Sequence, residues 1–249
     1  MTTVAAPLTG SVHSFDVSTG VDGPGTRFVA FLAGCPLRCQ YCHSPDTWFQ
    51  RNGRPTTVDE LVTEIRRYER FIKVAGGGVT LSGGEPLQQP GFVRSVLTRC
   101  QELGLHTALD TSGFLGDRAD DALLDAVDLV LLDIKSGDED TYHAVTGTGR
   151  LEPTVRFAHR LAGRGIPIWV RFVLVPGLTD DPANVDAVAD LVAAVPTIER
   201  VEVLPFHRLG AAKYAALGLD FPLAGTEPPD AELLDRVRGQ FRARGLTVQ

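Results

Sequence analysis

Six times along this chain a short run of apolar and β-branched residues is paired with a stretch of helical spacing. The apolar runs are Arg27–Leu32, Val79–Leu81, His106–Asp110, Leu129–Ile134, Ile168–Val175 and Val201–Leu204. The helical stretches are Val58–Ile72, Phe92–Leu103, Asp121–Val127, Pro153–Arg164, Val185–Val195 and Ala231–Arg244. In the first of these, Val58, Leu61, Val62, Ile65, Tyr68 and Ile72 recur on one face. Thr57 and Glu60 form a capping-box pattern at its start. Alternation of this kind predicts an α/β fold in which a parallel sheet is wrapped by helices. Six units fall short of the eight-fold barrel. The pattern predicts a partial (β/α)6 barrel with parallel strands and outer helices; a doubly wound sheet obeys the same pattern. The 249 residues read as a single domain, with residues 1–12 as a loose N-terminal segment.

In such folds, reactive groups gather where strands end and loops begin. Here the unusual residues fall at those places. The first run leads into a cysteine loop, and the second into Ser82-Gly83-Gly84-Glu85-Pro86. The third ends at Asp110-Thr111-Ser112-Gly113 and the fourth at Asp133-Ile134-Lys135. The fifth carries Arg171 and ends at Val175-Pro176-Gly177; the sixth ends at Pro205-Phe206-His207. Polar groups at six successive strand ends would ring one mouth of the barrel.

The cysteine loop is the most chemically pointed of these. Cys35, Cys39 and Cys42 follow the pattern C-x3-C-x2-C. It supplies three thiolates, whereas a four-iron cluster takes four ligands, usually cysteines. One iron would then be open to something other than protein. Structural zinc is the competing reading. His43 adjoins Cys42, and neighbouring residues rarely both turn onto one small ion. A chain of this length also has enough core to fold without a metal staple. Cys100 lies in a helical stretch and reads as a buried apolar residue. Disulfides belong to oxidising compartments, and Met1–Val12 has neither the charged start nor the apolar core of a secretory signal. No apolar run approaches the roughly 20 residues that span a bilayer, so a cytoplasmic location is expected. With a net charge of −7 and no basic tract, neither nucleic acid nor an anionic membrane is an expected partner.

Each remaining motif has an ordinary reading beside the functional one. The Gly83-Gly84 pair is either a tight turn or backbone exposed to a ligand. Gly76-Gly77-Gly78 reads as a flexible turn. Asp110 and Asp133 either cap local turns or together hold a cationic group. Lys135 is either a solvated charge or the partner of a carboxylate, and His43 and His207 face either solvent or a site. Asp22, in Val21-Asp22-Gly23-Pro24-Gly25, is a turn residue unless a substrate enters over that loop.

The cysteine spacing followed by the Gly-Gly-Glu-Pro turn resembles the radical S-adenosylmethionine superfamily. Further segments narrow the resemblance to its glycyl-radical enzyme activase family. They are His13-Ser14-Phe15, Val21-Asp22-Gly23-Pro24-Gly25, Tyr41-Cys42-His43-Ser44-Pro45-Asp46-Thr47-Trp48, Leu109-Asp110-Thr111-Ser112-Gly113 and Leu204-Pro205-Phe206-His207-Arg208-Leu209-Gly210. The resemblance implies that Cys35, Cys39 and Cys42 hold a 4Fe-4S cluster, and that the fourth iron binds S-adenosylmethionine. It implies cofactor contacts at Tyr41, Cys42, His43, Gly84, Asp133, Ile134, Lys135 and His207. It also implies a monovalent cation at Asp110, Thr111 and Asp133, and a place for Asp22 on the peptide-substrate side; Arg171 matches an arginine near the site. The implied reaction is reductive cleavage of S-adenosylmethionine to a 5′-deoxyadenosyl radical, which takes a hydrogen from a glycine Cα of a partner enzyme. Some relatives carry an inserted ferredoxin-like segment with extra cysteines. Only Cys100 lies outside the loop here, which favours pyruvate formate-lyase as the partner. A flavodoxin or ferredoxin is the implied electron donor, and the family precedent is a monomer. Another glycyl-radical enzyme as target, a small-molecule substrate, and a non-catalytic zinc-stabilised binding protein are the alternatives.

Overall fold

The computed structural model describes residues 7–249. The chain enters with β1 (Thr9–Thr19) and turns back antiparallel into β2 (Thr26–Leu32), pairing Thr19 with Thr26. The cysteine loop follows, and then β3 (Arg54–Thr57) pairs antiparallel with β1. Next come α1 (Val58–Val74), β4 (Gly78–Gly83), α2 (Pro90–Glu102), β5 (His106–Thr111), α3 (Asp121–Leu124) and β6 (Leu129–Asp133). After them run α4 (Glu139–Thr146), α5 (Glu152–Gly163), β7 (Ile168–Leu174), α6 (Pro182–Ala193), β8 (Ile198–Pro205), α7 (Ala211–Ala216) and α8 (Ala231–Arg242).

The sheet order is β3-β1-β2-β4-β5-β6-β7-β8. From β2 to β8 every neighbouring pair is parallel. These six strands with their outer helices make the partial (β/α)6 barrel that the alternation predicts, and the capping box at Thr57 and Glu60 is present at the start of α1. Five features depart from expectation. The segment expected to be loose through residue 12 joins the sheet at Thr9, while residues 1–6 lie outside the described residues. β3 and α4 were not anticipated, nor was α7. The stretch expected to be helical over 121–127 is a single turn, α3. β1 is rich in Ser, Thr and Asp, and α4 is short and lacks a broad apolar stripe. Both are held by their neighbours rather than by an apolar pattern of their own.

Strand residues alternate between two surroundings. Phe28, Leu81, Leu109, Leu132, Val170 and Phe172 join Ile65, Leu97, Cys100, Phe157, Val188 and Phe241 of the helices in the main core. Cys100 is fully buried there, as a small apolar residue should be. The intervening residues face the barrel interior. Ala108, Leu129, Leu131 and Trp169 pack together there as a separate cluster. Asp110, Asp133 and Arg171 lie two residues beyond Ala108, Leu131 and Trp169 on the same strands, and with Ser82 they line a cavity.

Candidate active site

The loop after β2 owes its shape to supports from three directions, two of them backbone hydrogen bonds. Gly34 N–H donates to Thr47 O at 2.7 Å and Cys35 N–H to Trp48 O at 3.0 Å. Arg38 N–H donates to Thr146 O at 2.7 Å and Gln40 N–H to Val145 O at 2.9 Å. The end of α4, whose carbonyls have no partner within the helix, therefore carries the middle of the cysteine loop. The Arg38 guanidinium folds back and donates to the carbonyls of Cys35 and Leu37, both at 2.7 Å. A third clamp comes from α7. Lys213 Nζ lies 3.0 Å from Asp46 Oδ2, and Trp48 meets Tyr214 edge-on with ring centroids 5.7 Å apart.

These supports leave Cys35, Cys39 and Cys42 free of disulfides and on the wall of one cavity of about 420 Å³. Burial pushes all three thiols up, Cys39 to about 11. Without a metal they stay protonated at neutral pH, and metal binding must release those protons. Among the described residues, no three His, Cys, Asp or Glu side chains converge as one metal ion requires.

The other residues singled out in the sequence arrive from separate strand ends. Asp22, Tyr41, His43, Gly84, Asp110, Thr111, Asp133, Lys135, Arg171 and His207 all line the same cavity. Ile134 is the exception. Strand alternation turns its side chain into the main core, so it offers only backbone to a ligand. Gly84 is where a side chain has no room: an added Cβ would lie 2.5 Å from Gly34 O and 3.0 Å from Thr47 O.

The floor of the cavity is ionic. Asp110 Oδ2 accepts from Ser82 Oγ at 2.6 Å and from Arg171 Nη1 at 3.1 Å. Burial raises its pKa to about 6; Arg171 opposes that rise and Asp133 adds to it. Asp110 Oδ1 is buried and has no hydrogen-bond partner, an acceptor that an incoming cation or N–H would satisfy. Lys135 Nζ lies 2.8 Å from Asp133 Oδ2 and 5.6 Å from the centre of the Tyr41 ring. Burial works against the Lys135 charge, but Asp133 outweighs it and holds the ammonium well above its ordinary pKa. Tyr41 Oη is a second buried group without a partner. The His43 and His207 rings lie 4.7 Å apart, inclined by 34°. Loss of hydration, with His207 and Lys213 close by, lowers His43 to about 4.

Two buried charges act as hubs; the sequence did not single out Glu85, and it placed Arg171 near the site without a role. Glu85, 1% exposed, accepts from Thr111 Oγ1 at 2.6 Å, Ser112 Oγ at 2.6 Å, Ser112 N at 3.0 Å and Leu87 N at 3.1 Å. It ties the turn after β4 to the end of β5, and it already engages the hydroxyl of Thr111. Arg171, whose role the sequence left open, sits among Asp22 at 3.5 Å, Asp110 at 3.1 Å and Glu202 at 3.5 Å. The only advance signal for Glu85 was a carboxylate confined between Gly-Gly and Pro.

Residues 29–187 match the Radical SAM superfamily. The chain is 40% identical over 241 residues to the pyruvate formate-lyase 1-activating enzyme of Escherichia coli (strain K12), covering 96% of this chain and 98% of that one. It is 43% identical over 223 residues to the pyruvate formate-lyase-activating enzyme of Clostridium pasteurianum, covering 90% of this chain and 93% of that one. The chain belongs to the pyruvate formate-lyase activating enzymes of the radical SAM superfamily. Among solved structures, a domain of a pyruvate-formate lyase-activating enzyme from Bacteroides vulgatus ATCC 8482 aligns with a TM-score of 0.56 and 26% identity, over 70% of this chain and 98% of that one. A radical SAM methyltransferase from Sphaerobacter thermophilus shares the fold, with a TM-score of 0.64 at 19% identity over 94% of this chain and 71% of that one.

A radical SAM enzyme takes a 4Fe-4S cluster and S-adenosylmethionine as cofactors. The residues here fit that pair. One loop brings three free thiols and no fourth cysteine lines the cavity, while two buried polar atoms, Asp110 Oδ1 and Tyr41 Oη, are without partners. Among the described residues no helix is long and apolar enough to cross a membrane.

Proposed function

We propose that this chain activates pyruvate formate-lyase by generating a glycyl radical on it. The observation that carries the reading is one cavity in which three unpaired cysteines face the Asp110, Asp133 and Lys135 strand ends, in a chain so similar to curated activases. Cys35, Cys39 and Cys42 would hold the cluster. When bound, the cluster and S-adenosylmethionine supply one-electron cleavage of a sulfonium and hydrogen abstraction from a glycine Cα.

The protein's part is binding, orientation and exclusion of water. Lys135, buried, and Asp133, half-buried, form an ion pair that presents one charge of each sign to the zwitterionic end of the cofactor. Gly84 offers bare backbone, and Tyr41, His43, His207 and the Ile134 backbone complete the cofactor contacts. The unpartnered Asp110 Oδ1, with Asp133 and Thr111, is the place for a monovalent cation. Leu37, Val173, Leu204 and Phe206 line the same space with apolar surface and keep a reactive carbon centre dry. Asp22 faces the partner's glycine segment. A flavodoxin or ferredoxin supplies the electron, the activase is a monomer, and the reaction runs in the cytoplasm.

The test is anaerobic reconstitution followed by incubation with pyruvate formate-lyase, S-adenosylmethionine and a low-potential reductant. A glycyl doublet in the electron paramagnetic resonance spectrum is expected, with release of 5′-deoxyadenosine. Release of 5′-deoxyadenosine without the doublet would assign another target. A colourless protein holding one zinc would reject the radical chemistry.

A further inference from the structure

One charged side chain lies wholly inside the barrel and away from the cofactor contacts. Arg27 has no exposed surface, and the hydrogen bonds it makes go to neutral groups. Its Nε donates to Thr80 Oγ1 at 2.6 Å, Nη2 to Val79 O at 2.6 Å, and Nη1 to Pro24 O at 3.3 Å. Burial lowers its pKa to about 10, with Asp22 acting in the opposite direction. A buried guanidinium bonded to neutral acceptors is costly to keep. The Thr80 hydroxyl that accepts from Arg27 donates in turn to the backbone carbonyl of Asp22 at 2.7 Å. Asp22 is on the cavity wall, and its Oδ2 accepts from Ser18 Oγ at 2.7 Å. From the other side, Arg171 Nη2 donates to Val21 O. The β1–β2 loop closes on itself through Gly20 N–H to Gly25 O at 3.1 Å. It is therefore held from within the barrel at three carbonyls: Val21 by Arg171, Asp22 by Thr80, and Pro24 by Arg27 directly.

We propose that Arg27, acting through the Thr80 hydroxyl, is the positioning residue for Asp22 and so sets the surface against which the partner's glycine segment is aligned. The inference rests on the reading that Asp22 faces that segment. Thr80 is the place to test it, because one hydroxyl carries both halves of the relay. Thr80→Val keeps the shape and removes both bonds; Thr80→Ser keeps the hydroxyl.

Two measurements on the reconstituted holoenzyme decide the matter. The first is backbone amide hydrogen exchange across Val21–Gly25, which needs no partner. The second compares the KM for pyruvate formate-lyase with the dissociation constant for S-adenosylmethionine. Thr80→Val is expected to speed exchange in the loop and raise the partner KM about tenfold, as loss of a bond in a charged relay implies. S-adenosylmethionine affinity should stay within about twofold, and Thr80→Ser should restore both properties. Unchanged loop exchange, an unchanged partner KM, S-adenosylmethionine affinity falling in step with the KM, or failure of the serine to rescue would each overturn the proposal. Should the valine variant not fold, Thr80→Cys, whose thiol bonds weakly, carries the same expected and overturning results. If the wild-type forms no glycyl radical on pyruvate formate-lyase, the proposed target is wrong, but the exchange measurement still decides whether Arg27 and Thr80 hold the loop.

Discussion

Arg27, Glu85 and Arg171 show how much of this molecule turns on where a charge is buried. Glu85 is tolerable inside because four donors surround it, and Arg171 because several carboxylates do. His106 shows the pH consequence. Its Nδ1 lies 3.3 Å from Arg27 Nη1, and burial, reinforced by the Arg27 charge, lowers its pKa. The folded protein therefore disfavours the imidazolium more than the unfolded chain does. That contribution to stability is intact above the ordinary histidine pKa of about 6.5. It is lost as pH falls below that value toward the lowered folded-state pKa. A melting-temperature series from pH 7.5 to 5 should fall for the wild-type, and the fall should be shallower for His106→Gln. Equal slopes in the two proteins would show that His106 is not the group responsible. Sequence spacing marked Arg171 only as a strand-end arginine and did not mark Arg27 at all, because neither burial nor the partner of a charge is written in the residue type.

At the scale of elements, α4 is the instructive case. Asp138 caps it by accepting from Thr141 N at 2.8 Å, and Gly147 ends it with φ of 76°. Glycine adopts that conformation without penalty, whereas a Cβ there costs about 1–2 kcal/mol. Gly147→Ala should lower the melting temperature by roughly 2–8 °C by scanning calorimetry, on the usual conversion for a chain of this size. The α4 carbonyls of Val145 and Thr146 hold the cysteine loop, so the variant should also retain less iron after reconstitution. Normal iron content with the lower melting temperature would show that the loop does not depend on the end of α4. The long helices α1, α2, α5, α6 and α8 were legible because each shows an apolar face to the sheet. By contrast, α4 is eight residues long with little apolar surface, and its formation depends on the cysteine loop it supports.

For the whole molecule, the main core lies between the sheet and its helices, while the cysteines sit on the cavity wall. Stability and cofactor binding are therefore largely separate. Removing the cluster with a chelator under anaerobic conditions should leave the far-ultraviolet circular dichroism spectrum nearly unchanged and melting still cooperative. The melting temperature should drop only by the binding energy lost. Loss of the helical signal would instead mark the metal as a structural staple, as in small zinc domains.

The order of the residues was enough to determine the six parallel strand–helix units, the capping box and the cysteine spacing, and with them the superfamily resemblance. Those properties follow from periodicity and from chemistry local in the chain, and both are visible in one dimension. The tertiary structure decided that Asp22, Asp110, Asp133 and Arg171 share one cavity, that Ile134 turns away from it, and that Glu85 and Arg27 are buried hubs. It also decided that β1, β3 and α4 exist at all. These outcomes depend on which strands become neighbours, on the handedness of the alternation and on desolvation. Each is a sum over contacts between residues far apart in the chain, which no local pattern encodes.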